Sequence, residues 1–229
     1  MSIEEKREPV RILDLMCGDG GVRRVVAERY PRKDVEYMGI DPYAPSEDDD
    51  QLGALLKEGA ARRGQRFNQA FHAAGLPFST SEQLSQKLKQ LVGERQFDEI
   101  HLHMPDLYGQ GRVSKGTAYL KVVAGFLKPG GRFYFTSDAH RPHRMFLDEK
   151  LEHSGLRSAV KANAKVVARS AASAGLKLQK YLHQLEPGKW RASRWIGVTS
   201  VSKKQLRELS QYSENSDLAV HHFVLRKPK

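Results

Sequence analysis

Two acids and two glycines near the amino terminus have the types and spacing for ligand chemistry. Asp14 stands in the fourth position of an apolar run in "RILDLMCGDGG", Gly18 and Gly20 follow within six residues, and Asp41 ends "VEYMGID". Glycines after an apolar run let the main chain pass close to a ligand, and a helix start after them offers free N–H groups. Such a turn fits any nucleotide, so the neighbours decide. A dinucleotide fingerprint started from Gly18 needs a third glycine at position 23, which is Arg23, and no Gly-Lys-Ser/Thr follows to make a phosphate loop. What remains is the pattern Asp14-x-x-x-Gly18-x-Gly20 with a second acid at Asp41.

The elements that must position these residues follow from periodicity. Val10, Ile12, Leu13 and Leu15 read as a strand covered on both faces, and Val22, Val25, Val26 and Tyr30 recur at helical spacing until Pro31. "VEYMGID" is a second strand, making the first half of a right-handed βαβ unit. The acid run Glu47 to Asp50 opens a helix through Leu52, Leu55 and Leu56, where negative charge favours the helix start, and is not read as a metal site. "QRFNQAF" is a third strand, and "SEQLSQKLKQLV" a helix with Ser81 as its N-cap. "FDEIHLHM" is a buried strand on which His101 and His103 alternate as packing residues. "KGTAYLKVVAGFL" is a helix, "KPGG" its stop and tight turn, and "RFYFTSD" the next strand. The tail predicts a helix near Arg157 to Ala174, a strand near Leu176 to Leu185, a short helix near Lys203 to Tyr212 and a last strand, "LAVHHFVL". This rhythm implies a single α/β domain over 1–229: a doubly wound, Rossmann-like, mostly parallel seven-stranded sheet with helices on both faces and an antiparallel last strand. Residues 186–216 form a basic insertion between the last two strands.

Composition narrows the partners. At 229 residues and 39% apolar content the chain can bury one substantial core. Without a run of about 20 apolar residues or a hydrophobic amino-terminal region, it is expected to be cytoplasmic and without a membrane partner. Its single cysteine, Cys17, excludes an internal disulfide and a cysteine-rich zinc site. The net charge of +11 is unevenly spread: residues 1–106 hold 15 Lys+Arg against 19 Asp+Glu, and residues 107–229 hold 23 against 8, so the parts carry −4 and +15. Such a field attracts polyanions, RNA or DNA phosphate being the commonest reason for it and solubility the alternative. Tyr108, Trp190 and Trp195, interleaved with Arg112, Lys189, Arg191 and Arg194, can stack unpaired bases and contact phosphate.

The two acids, the glycine turn, "FDEIHL" and "LKPGGRFYF" together resemble the class I S-adenosylmethionine-dependent methyltransferases, with Met16 where that family carries its first glycine. The resemblance implies S-adenosyl-L-methionine as cofactor. It would be held by Asp14, Met16, Cys17, Gly18, Gly20 and Asp41, with Ala74 and His103 at neighbouring strand ends. A carboxylate at Asp41 can accept both ribose hydroxyls, while Asp14 orients the turn or the methionine amino group. No phosphate clamp is needed.

"HMPDLYG" and the later "FTSD" resemble the tRNA (guanine-N7)-methyltransferase family, over roughly residues 10 to 138. That resemblance carries the catalytic acid onto Asp106 and substrate contacts onto Asp106, Tyr108, Arg112, Lys115 and Asp138. Guanine N7 is already a lone pair, so its methylation needs positioning and no strong base; carboxylates accepting from guanine N1–H and the 2-amino group would supply that. The chain departs from the pattern at Leu107 and Tyr108, which stand for Pro-Trp, at Gln110, which stands for a lysine, and at Ser137, which splits Thr-Asp. A small-molecule or protein acceptor and a non-catalytic RNA-binding module with this fold are the alternative readings.

Overall fold

The computed structural model describes residues 8–18, 20–46, 50–77, 79–103, 113–139, 156–184, 190–194, 197–200 and 219–229. Strands and helices alternate along the first part: β1 (Val10–Leu15), α1 (Val22–Arg29), β2 (Val35–Ile40), α2 (Gln51–Ala61), β3 (Phe67–His72), α3 (Ser81–Val92), β4 (Phe97–His103), α4 (Val113–Phe126) and β5 (Leu127–Ala139). The second part holds α5 (Leu156–Ser173), β6 (Lys177–Gln184), β7 (Trp190–Arg194), β8 (Gly197–Ser200) and β9 (Ala219–Arg226). The expected short helix near 203–212 lies outside the described residues.

One sheet runs through the molecule in the order β3-β2-β1-β4-β5-β9-β6-β7-β8. β1 to β5 are parallel, and β9 runs antiparallel between β5 and β6. The expected seven-stranded unit is therefore present as β1 to β6 plus β9, its last strand reversed. β7 and β8 add an antiparallel pair beyond β6, inside the 186–216 segment. Strand order reverses direction between β1 and β4, so the crevice at their carboxyl ends is the place where this architecture binds ligands.

Alternation along β1 explains the layers. Leu13 and Leu15 face α3, α4 and α5 in one core with Leu84, Leu88, Leu120, Val123 and Val167, while Val10 and Ile12 face α1 and α2 in a second core with Val22, Val26 and Phe67. Each such leucine or valine contributes about 1.5–3 kcal/mol by leaving water. Two local expectations are corrected. The N-cap of α3 is Thr80, whose Oγ1 accepts from Gln83 N at 3.2 Å, and not Ser81, which is the first helical residue. "KPGG" is not a turn ahead of β5 but a bulge within it: Leu127 pairs with Phe97 and Arg132 with Glu99, so five steps on β5 oppose two on β4. Gly130, at φ +80°, donates its N–H to Lys227 O at 3.0 Å and Pro228 O at 3.2 Å, which pins the bulge to the carboxyl-terminal segment. Lys227 Nζ in turn donates to Ala124 O at 2.9 Å and Leu127 O at 2.8 Å, placing a cation on the carbonyl end of α4.

Candidate cofactor site

At the end of β1 the chain makes a turn that needs left-handed backbone three times: Met16 at φ 58°, Gly18 at 52° and Gly20 at 73°. Met16 is the non-glycine residue there, and its side chain packs against the main core while its N–H donates to Ile40 O at 2.8 Å. A glycine would take this backbone conformation freely, whereas the methionine bears a cost of about 1–2 kcal/mol. A Cβ built on Gly18 meets nothing within 4 Å, so the turn opens onto free space there. A Cβ on Gly20 would lie 2.6 Å from Arg23 Nε, so that glycine makes room for a protein side chain.

Asp41 fixes the opposite wall. Its Oδ2 accepts from Gly18 N at 3.0 Å and its Oδ1 from Tyr43 N at 2.8 Å, leaving each oxygen a lone pair for a further donor. Ala74 follows β3 and donates its N–H to His72 O at 2.8 Å and Asp41 O at 3.2 Å. Cys17 is buried beside the same strand ends; burial, then the charges of Asp14 and Asp41, push its thiol well above the usual range, so it is inert packing at neutral pH. Tyr43, an aromatic with 89% of its surface exposed, stands two residues past Asp41. It was not singled out from the sequence.

Under the turn lies a polar assembly that sequence reading also missed. Asp14 is wholly buried and its Oδ2 accepts from the Tyr37 hydroxyl at 2.5 Å, which places the acid beneath the turn. Burial and the Asp14 charge raise the Tyr37 phenol far above its ordinary value. Arg23, 1% exposed, donates Nε to Gly20 O at 2.9 Å and Nη1 to Gln69 Oε1 at 2.9 Å, pairs with Asp50, and lies over the Phe71 ring at 4.9 Å. Asp50 is the N-cap of α2, its Oδ1 accepting from Gly53 N at 3.0 Å. Burial raises the Asp50 carboxyl, but hydrogen bonds from Arg23, Gly53 and Gln69 outweigh it and hold the group below the usual carboxylate range. The helix start expected from the acid run is thereby present at Asp50; Glu47 to Asp49 lie outside the described residues. An arginine where a glycine fingerprint would continue, followed by an acid run that ends just before α2, was the available signal for this pair.

A second buried hub stands one strand over. Glu99, 1% exposed, accepts from the Tyr30 hydroxyl at 2.6 Å, the Tyr134 hydroxyl at 3.1 Å and His101 Nε2 at 3.2 Å, and pairs with Arg29. Burial pushes its carboxyl up, yet the His101 hydrogen bond and the Arg29 charge hold it at about 2. Burial lowers His101, which the Glu99 hydrogen bond opposes, and its ring stacks on Tyr134 at 4.6 Å. His101 is a packing residue as read, and it stands in register with Asp14.

The cofactor candidates Asp14, Met16, Cys17, Gly18, Gly20, Asp41 and Ala74 therefore meet at the carboxyl rim of β1, β2 and β3. His103 ends β4, paired with Thr136, and Asp138 pairs with Val220 on the same rim. Lys115 falls in the first turn of α4. Asp106, Tyr108, Arg112, Lys189 and Trp195 lie outside the described residues, while Trp190, Arg191 and Arg194 belong to β7. Among the described residues no cluster of His, Cys, Asp or Glu could hold a metal ion, and no helix is long and apolar enough to cross a membrane.

These residues fit an adenosyl cofactor: an open cradle at Gly18, a carboxylate with acceptor capacity to spare, and an arginine in the first turn of α1, Arg23, already matched by Asp50. No protein-family profile and no curated protein matches the chain. Among solved structures it is similar to the plantazolicin methyltransferase BamL, solved with a triazolic desmethylPZN analog and SAH, at 16% identity and TM-score 0.48, over 99% of this chain and 80% of that one. It is also similar to the 30S ribosomal A1408 methyltransferase from an uncultured bacterium, at 14% identity and TM-score 0.47, over 95% and 87% of the two chains. A putative sarcosine dimethylglycine methyltransferase from Galdieria sulphuraria follows at 13% identity and TM-score 0.47, over 96% and 78%. By its own topology, the order β3-β2-β1-β4-β5-β9-β6 with β9 reversed, the chain has the Rossmann-like fold of class I methyltransferases.

Proposed function

We propose that this chain is an S-adenosylmethionine-dependent methyltransferase acting on RNA, at a tRNA or rRNA base, with guanine N7 the favoured acceptor. The observation that carries the cofactor reading is the pairing of the open left-handed turn at Gly18 with the Asp41 carboxylate across the β1 and β2 ends. The bound cofactor supplies an electrophilic methyl group on a sulfonium. Asp41 accepts from the ribose hydroxyls, the Met16–Gly20 turn lets the ligand approach the main chain, and Asp14, tied to Tyr37, keeps that turn in place. Tyr43 covers the adenine. Asp106 and Asp138 face the acceptor and receive its base-edge N–H groups, which positions N7 in line with the methyl group without removing a proton. Charge supports the RNA reading: the +15 of residues 107–229 would displace counterions from phosphate. The chain is then one domain, with 186–216 as its basic addition.

Calorimetry with S-adenosylmethionine, followed by labelled methyl transfer to total RNA with nuclease controls and nucleoside analysis, tests the whole reading. Cofactor binding with label in small molecules or protein moves the acceptor away from RNA, and RNA binding without cofactor binding leaves a non-catalytic module. Asp41→Ala should weaken cofactor binding by roughly 1.5–3 kcal/mol, the range for hydrogen bonds to a charged group. Unchanged affinity in a folded variant would remove Asp41 from the site. Tyr43→Ala should weaken it by about 1–3 kcal/mol, the scale of base stacking on an aromatic, with no loss of stability because the ring is exposed. Equal cofactor affinity in that variant would rule out the stacking role.

A further inference from the structure

The two helices α4 and α5 pack side by side on one face of the sheet, and among the described helices they differ from α1, α2 and α3 in a simple respect. α1, α2 and α3 each carry acids with their cations, whereas α4 and α5 hold Lys115, Lys121, Arg157, Lys161, Lys165 and Arg169 and no acid at all. On α5 the cations fall at a strict four-residue step, 157, 161, 165 and 169. Four residues of helix rise about 6 Å, so the row spans about 18 Å and winds slowly around the helix. Val167, Ser170 and Ala171 face the core, which leaves Lys165 and Arg169 exposed; Lys121 of α4 is exposed as well. Among the described residues none of these three cations has a carboxylate partner, in contrast to Arg62, the C-cap of α2, which pairs with Glu58 one turn away.

Topology aims this row. β5 and β6 are parallel and joined through α5, so α5 runs back from the carboxyl rim, and its first turn stands at the rim that carries Asp41 and the ends of β4 and β5. α4 runs the same way between β4 and β5. A line of cations that repeats on the scale of successive phosphates, and leads to the cofactor rim, fits a polyanionic strand. A solvated helix face needs no such absence of acids, since alternating charges stabilise it better.

We infer that the α4–α5 face, with the exposed Lys165 and Arg169 of α5 and Lys121 of α4 on it, is the track along which the RNA backbone of the substrate docks. This rests on the RNA reading above and adds to it the surface that binds phosphate. The contacts are sequence-independent and position the strand; the rim acids select the base.

The test is the double variant Lys165→Gln and Arg169→Gln, both exposed and replaced by an equally good helix former, beside a control, Arg32→Gln and Lys57→Gln, on the opposite side of the sheet. Binding of labelled total RNA is measured between about 50 and 200 mM salt, where several phosphate contacts become visible. Each phosphate neutralised on a single strand adds about 0.7 to the log–log slope, so removing two cations should lower it by about 1.4 in the α5 variant and leave it unchanged in the control. Cofactor affinity and the thermal midpoint should not move. An unchanged slope in the α5 variant, where the wild type methylates RNA, overturns the track while the functional reading stands, and so does an equal fall in the control. A wild type that neither binds nor methylates RNA overturns the functional reading itself.

Discussion

Glu99→Ala is expected to cost about 3–5 kcal/mol of folding stability, the range for removing one partner of a buried ion pair. The carboxylate serves four donors at once, two tyrosine hydroxyls, one imidazole and one guanidinium, and almost none of it touches water. Alanine would leave Arg29, itself only 14% exposed, facing Tyr134 without its counter-charge. Glu99→Gln keeps the volume but replaces one acceptor oxygen with a donor, so its loss should be smaller but still marked. Urea unfolding at neutral pH measures both, and a loss under about 1 kcal/mol, that of an ordinary hydrogen bond, would show the hub to be dispensable. The pH dependence has a definite sign. A folded value of about 2 lies below the unfolded value of 4.5, so the contribution is full above about pH 4.5 and disappears as pH falls through about 2. His101 acts in the same direction: its folded value lies below 6.5, so the unfolded state takes up the proton first and stability declines as pH drops below about 6.5. The alanine variant should therefore show a flatter acid flank between pH 4.5 and 2 than the wild type.

Asp106→Asn should lower methyl-transfer efficiency by about a hundredfold or more while leaving cofactor affinity intact. The amide preserves the volume but turns one acceptor oxygen into a donor. Against the N1–H and 2-amino groups of guanine, that leaves donor facing donor and one group unpaired. A site built to hydrogen-bond its substrate rejects such a mismatch far more strongly than a hydrophobic pocket rejects a missing methylene. If Asp106 were a helix cap, asparagine would cap nearly as well and activity would hardly change. Single-turnover rates on RNA, set beside calorimetric cofactor affinity, separate the two outcomes. Equal rates would remove the base-recognition role and the preference for guanine N7 with it.

Local signals sufficed wherever one residue's neighbours in the chain dictate its conformation. The β1 to β5 rhythm was legible because strands covered on both faces are continuous apolar runs and helices repeat at 3.6 residues. The turn at Gly18 and Gly20 was legible because only glycine takes a left-handed backbone freely, and the start of α2 because negative charge favours the positive end of a helix. "KPGG" misled for the same reason: its glycine does adopt positive φ, at Gly130, but what made it a bulge was its contact with Lys227 and Pro228, almost a hundred residues away. The choice between Thr80 and Ser81 as cap was a boundary matter of one residue.

Residue types and their spacing were enough for the fold class, for the two acids and the glycine turn that define the candidate site, and for the separation of charge between the parts of the chain. Each depends on short-range pattern or on totals. Tertiary packing was needed to show that Gly20 makes room for Arg23, that Arg23 is matched by Asp50 and Gln69, that Asp14 lies under the turn on Tyr37, and that Glu99 gathers four donors. It also showed that β7 and β8 extend the sheet. Most of these pairings join residues 20 to 70 positions apart, and no local rule selects one buried charge partner among many. The selection is made by the sheet register, which brings specific strand positions together, and by burial, which leaves a charged side chain no acceptable place except beside its counter-charge.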